Sequence, residues 1–219
     1  MGLDLIVEAR AKPGHVGEWR NFVERSFANE ELTEEEMERF AEISISDSET
    51  VGAPRIGFDE SANAWIIKRE KAETPEQVAA VLKESHGLYV LALVKCDGIP
   101  RYSNAAADYG IDETSFRGAW LRDCTDVLES LLLATAWNNM WPPEAVAYGD
   151  ALLLAADRAE GKTGPIAIRA LHRLLTKIGL NKAKSESGKT LAEQLDIVRA
   201  AGRWYVYWGE RGHPIRAWF

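Results

Sequence analysis

The sequence predicts an α+β protein, with a mixed sheet in the N-terminal half and a helical C-terminal half closed by a terminal β-hairpin. Three observations carry this expectation. Apolar runs that alternate or continue without interruption, Leu3–Arg10 and Leu88–Val94, lie ahead of residue 112 and read as strands. Beyond residue 112 the apolar positions recur at spacings of three and four between proline starts and glycine stops. The last segment, Trp204–Trp208 and Ile215–Phe219 around a Gly209–Pro214 turn, alternates as a hairpin does.

With 219 residues, 46% of them hydrophobic and 27% charged, the chain has apolar area enough for a core without a disulfide or metal staple. Connections are short, so one domain is expected over 1–219. It divides into a sheet-bearing half (1–111), a helical half (112–202) and the terminal hairpin (203–219).

Leu3, Leu5 and Val7 share one face of the first strand, with Asp4, Ile6 and Glu8 on the other. Lys12-Pro13-Gly14 breaks it, and Val16, Trp19, Phe22, Val23 and Phe27 then space as a helix. The stretch Val7-Glu8-Ala9-Arg10-Ala11-Lys12-Pro13-Gly14 resembles the first strand and turn of the antibiotic-biosynthesis monooxygenase family. The likeness is confined to this opening and implies no function for the chain. Thr33 and Glu36 form a capping box that starts a helix with Met37, Phe40 and Ala41 inward. Arg55–Phe58 and Ala64–Arg69 read as a hairpin across Asp59–Asn63. Thr74-Pro75-Glu76-Gln77 is a second capping box, and its helix buries Val78, Val81 and Leu82 before stopping at Gly87. Leu88–Val94 reads as a central strand.

Asp112 caps a long helix to about Thr135, with Phe116, Trp120, Cys124, Val127, Leu128, Leu131 and Leu132 on its stripe. Pro142-Pro143 opens a helix to Gly161, Gly164-Pro165 opens another to Gly179, and Thr190 caps a last one ending at Gly202.

Charge is uneven. The chain carries a net −8, but residues 1–160 hold a net −15 and residues 161–219 a net +7. A basic segment can bind nucleic acid. With no nucleic-acid motif beside it, packing against the acidic part of its own chain, or of a second copy, is the better reading. No basic stretch followed by an apolar core opens the chain, and Ile6 stands where a myristoylation motif requires Ser or Thr. No run approaches the ~20 apolar residues that span a bilayer. Two cysteines make no disulfide framework or zinc pattern. The expected location is the reducing cytoplasm, away from membranes.

Motifs for catalysis fail one by one. Ala156–Thr163 and Ala183–Thr190 match a relaxed phosphate-loop pattern, but neither follows an apolar strand. No two histidines fall at helical spacing, and there is no nucleophile elbow. Cys124 reads as an inert core thiol. No metal and no cofactor is implied.

The candidate site has two parts. The long loop after Leu88–Val94, running from Lys95 to Asp123, offers Tyr102, Asn104, Asp108, Tyr109, Asp112 and Arg117, with carboxylates for acid–base work or oxygen ligation. The corner Trp137-Asn138-Asn139-Met140-Trp141 sets aromatic walls beside amide hydrogen bonders, which suits a small-molecule pocket. Ligand binding is therefore expected at Tyr102, Asn104, Asp108, Tyr109, Asp112, Arg117, Trp137, Asn138, Asn139 and Trp141, provided the two parts border one hollow. The leading expectation for function is a binding or interaction protein whose acidic surface neutralises or regulates a basic partner, or which self-associates. The alternative is a small-molecule enzyme using that pocket.

Overall fold

Leu3, Leu5 and Val7 are buried and alternate with half-buried Asp4, Ile6 and Glu8, which makes the first strand, β1 (Asp4–Val7), one-sided. The computed structural model describes residues 3–94, 118–161 and 188–219. The partner of β1 is the far end of the chain: it pairs antiparallel with β4 (Ile215–Trp218), Leu5 opposite Ala217 and Val7 opposite Ile215. A second short antiparallel ladder joins β2 (Arg10–Ala11) to β3 (Ser44–Ile45). Helices supply the rest, so the class is α+β.

Helix α1 (Val16–Phe27) follows the Pro13-Gly14 break and buries Trp19, Phe22 and Val23. The Thr33 capping box starts α2 (Glu34–Ile43): the Glu36 amide donates to Thr33 Oγ1 at 3.3 Å, and the Thr33 amide donates to Glu36 Oε2 at 2.9 Å. Its inward face is Phe40 and Ile43; Met37 and Ala41 are exposed, contrary to the spacing argument. Arg25 ties the two helices by donating to both Glu36 carboxylate oxygens, at 2.6 and 3.1 Å. A further capping box, Ser46 with Glu49, starts the single turn α3 (Asp47–Thr50).

Residues 55–94 depart from the expected sheet. The segment expected to return as a hairpin strand is instead α4 (Glu60–Arg69), which buries Ala62 and Ile66. Trp65-Ile66-Ile67-Lys68 fits either period, and so short a run cannot separate a strand from a helix. Pro75–Glu84 is α5, capped by Thr74 as the motif requires. Leu88–Val94 is no central strand: Tyr89 makes a single bridge to Arg55, and Leu91–Leu93 is a 3-10 turn. Val90 and Ala92 join a small satellite core with Ile56, Ala62 and Ile66, while Leu88 and Leu93 are exposed.

The described part of the helix expected from Asp112 is broken. Gly118–Asp123 is 3-10, and α6 (Ser130–Thr135) begins afresh with Leu131 77% exposed. Leu121, Cys124, Val127 and Leu128 are buried, as their stripe requires. The expected helix from Gly164 to Gly179 lies outside the described residues.

The largest core forms around α7 (Pro142–Ala159) and α8 (Leu191–Glu210), which pack antiparallel. Here the terminal-hairpin expectation fails. Trp204–Trp208 belongs to α8, with Ala201, Trp204, Tyr205 and Trp208 buried at helical spacing. Gly202, read as a stop, lies inside the helix because α7 passes too close for a side chain. A Cβ on it would come within 2.9 Å of the Gly149 carbonyl oxygen, and one on Gly149 within 2.7 Å of the Gly202 carbonyl oxygen. Small residues here let two backbones touch.

Candidate functional site

The 137–141 corner is described; Tyr102, Asn104, Asp108, Tyr109, Asp112 and Arg117 lie outside the described residues. Most of the corner is spent on packing. Trp137 meets the Phe219 ring edge-on at 5.1 Å and carries the Arg122 guanidinium 5.9 Å from its ring. The Asn138 amide closes a turn onto the Thr135 carbonyl. Asn139 is a bridge: its Nδ2 donates to the Phe27 carbonyl at 3.0 Å, and its Oδ1 accepts from the Ala217 amide at 2.9 Å. Met140 exchanges backbone hydrogen bonds with Ile215 at 2.8 and 2.9 Å. The side chains of Trp137 and Asn139 thus fasten β4 and α1 to the start of α7.

Of the five, Asn138 is exposed on the surface and Trp141 lines a groove. This groove, of about 500 Å³, lies between α1, β2, the first turn of α7 and the turn after α8. The Trp141 ring meets Trp19 edge-on at 5.9 Å and Phe27 at 5.3 Å. Trp19 is pinned by its own indole N–H, which donates to the Ala9 carbonyl at 2.7 Å. Pro142, Pro143 and Val16 complete the apolar walls.

Among the described residues, three guanidiniums and one carboxylate supply the charged groups of the lining. Arg20 lies 4.5 Å over the Trp141 ring and pairs with Glu24 at 3.0 Å. Arg211 caps α8 through the Tyr207 carbonyl at 3.0 Å and stacks 3.5 Å from the Tyr207 ring. Arg10 donates from Nε to Thr50 Oγ1 at 3.3 Å. Among the described residues neither Arg10 nor Arg211 has a carboxylate partner. Glu144 faces inward but caps its own helix, accepting the Trp141 amide at 2.8 Å. The start of α7 therefore offers little to an anion: Pro142 and Pro143 have no N–H, and the Trp141 N–H is taken. Recognition at this end falls to side chains.

Behind Arg10 lies a buried histidine. His213 is fully buried, its Nδ1 2.8 Å from the Glu8 carbonyl and its Nε2 2.8 Å from Thr50 Oγ1. A carbonyl only accepts, so Nδ1 carries the hydrogen, and in the neutral ring Nε2 accepts the Thr50 hydroxyl. Burial holds the imidazole below the ordinary histidine range, opposed by its bond to Glu8 and by Asp47. Nearby, Glu8 Oε1 accepts from Ser26 at 2.8 Å and lies 3.0 Å from Arg216 Nε, an ion pair poorly aligned for a hydrogen bond.

Cys124 is buried, and burial pushes its thiol up to about 12, so it stays protonated near neutral pH. Cys96 and His172 lie outside the described residues. Among the described residues no group of His, Cys, Asp and Glu is arranged to hold a metal ion, and no helix is long and apolar enough to cross a membrane.

Arg10, Trp19, Arg20 and Arg211 were missed as site residues. Each has an ordinary local role, and no spacing links positions so far apart in the chain. The only local signal was at Trp141-Pro142-Pro143, an aromatic residue beside a rigid helix start. Fold and groove together define an α+β protein with an arginine-lined, indole-walled surface site. No known protein family, curated protein or solved structure matches the chain.

Proposed function

We propose that this chain is a binding protein whose groove takes a small organic dianion, with carboxylate or phosphate groups on an apolar body. The supporting observation is the convergence of Arg10, Arg20 and Arg211 on one indole-walled hollow of an otherwise acidic chain, where Glu144 is the single lining carboxylate among the described residues. A guanidinium presents a planar fork that meets carboxylate or phosphate oxygens in pairs. Among the described residues, two of the three forks have no carboxylate to satisfy them. A volume of about 500 Å³ suits a small molecule. Because the chain as a whole repels anions, capture depends on short-range contacts.

Titration with isophthalate and phenyl phosphate, followed by tryptophan fluorescence and calorimetry, tests this. Both should bind, more weakly at high salt. Arg10→Met and Arg211→Met should each lose about tenfold in affinity, the effect of one charged hydrogen bond. Benzamidine, a cation of similar size, should not bind. An equal response to benzamidine, or Arg variants that bind like the parent, overturns the reading.

A second reading rests on α2. Glu34, Glu35 and Glu38 are exposed and, among the described residues, their carboxylates lack a cationic partner, whereas Glu36 is held by Arg25. This face supports an interaction protein that neutralises or regulates a basic partner. Salt-sensitive binding of polylysine, weakened by joint Glu34→Gln, Glu35→Gln and Glu38→Gln substitution, would support it. Unchanged binding by that variant would remove it.

A further inference from the structure

The groove and the buried histidine are joined through one hydroxyl. Thr50 Oγ1 accepts the Arg10 Nε–H and gives its own hydrogen to His213 Nε2, which leaves His213 to donate from Nδ1 to Glu8. The same turn supplies both ends. Arg211 and Gly212 line the groove, while His213 points inward, its amide donating to the Trp208 carbonyl at 3.1 Å. Gly212 has φ +81°, a left-handed conformation that lets the chain reverse between them.

We propose that Thr50 and His213 are positioning residues of the groove, and that capture of an anion there is coupled to uptake of a proton by His213. This rests on the dianion reading of the groove. With the ring neutral, all donors run one way and Arg10 is held back against Thr50. A proton on Nε2 turns that nitrogen into a donor. Thr50 must then accept from it as well as from Arg10, its hydroxyl hydrogen must turn elsewhere, and two cationic donors are brought together on one oxygen.

The charged groups around His213 set the sign of the coupling. Arg10 from β2 and Arg211 from the turn oppose an imidazolium, and Asp47 from α3 favours it. Glu8 contributes its carbonyl, its carboxylate being turned to Ser26 and Arg216. Trp208 from α8 presents an uncharged ring 5.2 Å away. An anion in the groove offsets the repulsion from both arginines and draws Arg10 off Thr50. It therefore favours the protonated ring, and by reciprocity the protonated ring favours the anion. Affinity should rise as pH falls below the ordinary histidine range, since burial holds the free ring's midpoint down.

Benzene-1,3-disulfonate is the probe, because its charge is constant between pH 5.5 and 7.5. Calorimetric titrations at both ends of that range, in buffers of different ionisation enthalpy, report affinity and proton uptake together. The parent protein should bind about fivefold more tightly at pH 5.5, the low end of ordinary coupling, and take up protons on binding. His213→Gln should bind equally at both values. Thr50→Val, which frees Arg10 at any pH, should narrow the gap by raising affinity at pH 7.5. His15→Gln, at the head of α1 beside Val16, should behave like the parent. A gap that persists in His213→Gln, or vanishes in His15→Gln, overturns the proposal. Should His213→Gln not fold, the imidazole resonances of the parent decide: the probe must move the His213 titration midpoint upward. Equal binding at both pH values sinks the coupling alone, whereas no binding at either sinks the groove reading with it.

Discussion

Helix α7 meets two of its neighbours, α8 and α1, in opposite ways. Along its length Gly149 lies against Gly202 of α8, so closely that a Cβ on either would collide with backbone. At its N-terminal end Trp141 and Trp19 meet edge-on, and the bulk of two indoles holds α1 away from α7. One face is sealed and the other stays open. Side-chain volume at the contact, more than helix propensity, decides where this molecule has room for a ligand.

The strongest way to break that comparison is to put volume where it is closed. Gly202→Ala should cost about 3 kcal/mol, the upper end of ordinary overpacking, because backbone must move. Urea unfolding measures it, and a loss below about 1 kcal/mol would mean that the helices separate easily. Next is the fastening between the two sides. Asn139→Ala orphans the Ala217 amide and the Phe27 carbonyl together and should cost about 2 kcal/mol, read in the same unfolding experiment.

A matched pair within the sealed face sharpens the contrast further. The Tyr148 hydroxyl donates to the Leu132 carbonyl at 2.8 Å, while the more deeply buried Tyr205 hydroxyl has no partner among the described residues. Tyr148→Phe should therefore lose about 1 kcal/mol and Tyr205→Phe gain a similar amount in thermal unfolding. Burial raises both phenols above their ordinary range, so neither ionises near neutral pH.

The smallest effect belongs to the partly exposed contact between α1 and α2. The Arg25 guanidinium, with help from the Thr33 amide, holds Glu36 down to about 2 from an ordinary 4.5. A depressed carboxylate contributes stability above its unfolded value and loses it as pH falls through the folded one. The stability difference between Arg25→Met and the parent should be present at pH 6 and fade between about 4.5 and 2. High salt should shrink it too, since both side chains contact solvent.

Legibility in the sequence followed the range of the forces. The capping boxes at Thr33, Thr74 and Thr190, the proline start of α7 and the one-sided β1 were all readable, because their hydrogen bonds and face patterns close within a few residues. Gly202 was misread because its reason lies on α7, and the aromatic run after it alternates like a strand while packing as a helix. Asn139 and Trp137 read in sequence as pocket walls, and the contacts they make to Phe27, Ala217 and Phe219 come from parts of the chain far away. Of the groove, only Trp141 was named in advance.

By itself, the order of residues determined where most helices begin, which strand face turns inward and that the class is α+β. Those outcomes depend on neighbours three or four positions away. The choice of β1 as the partner of β4, the glycine seam and the meeting of Arg10, Arg20 and Arg211 were decided only in three dimensions. Positions 10, 20 and 211 share no local pattern; they converge because closing the chain ends into one ladder brings the turn after α8 beside β2.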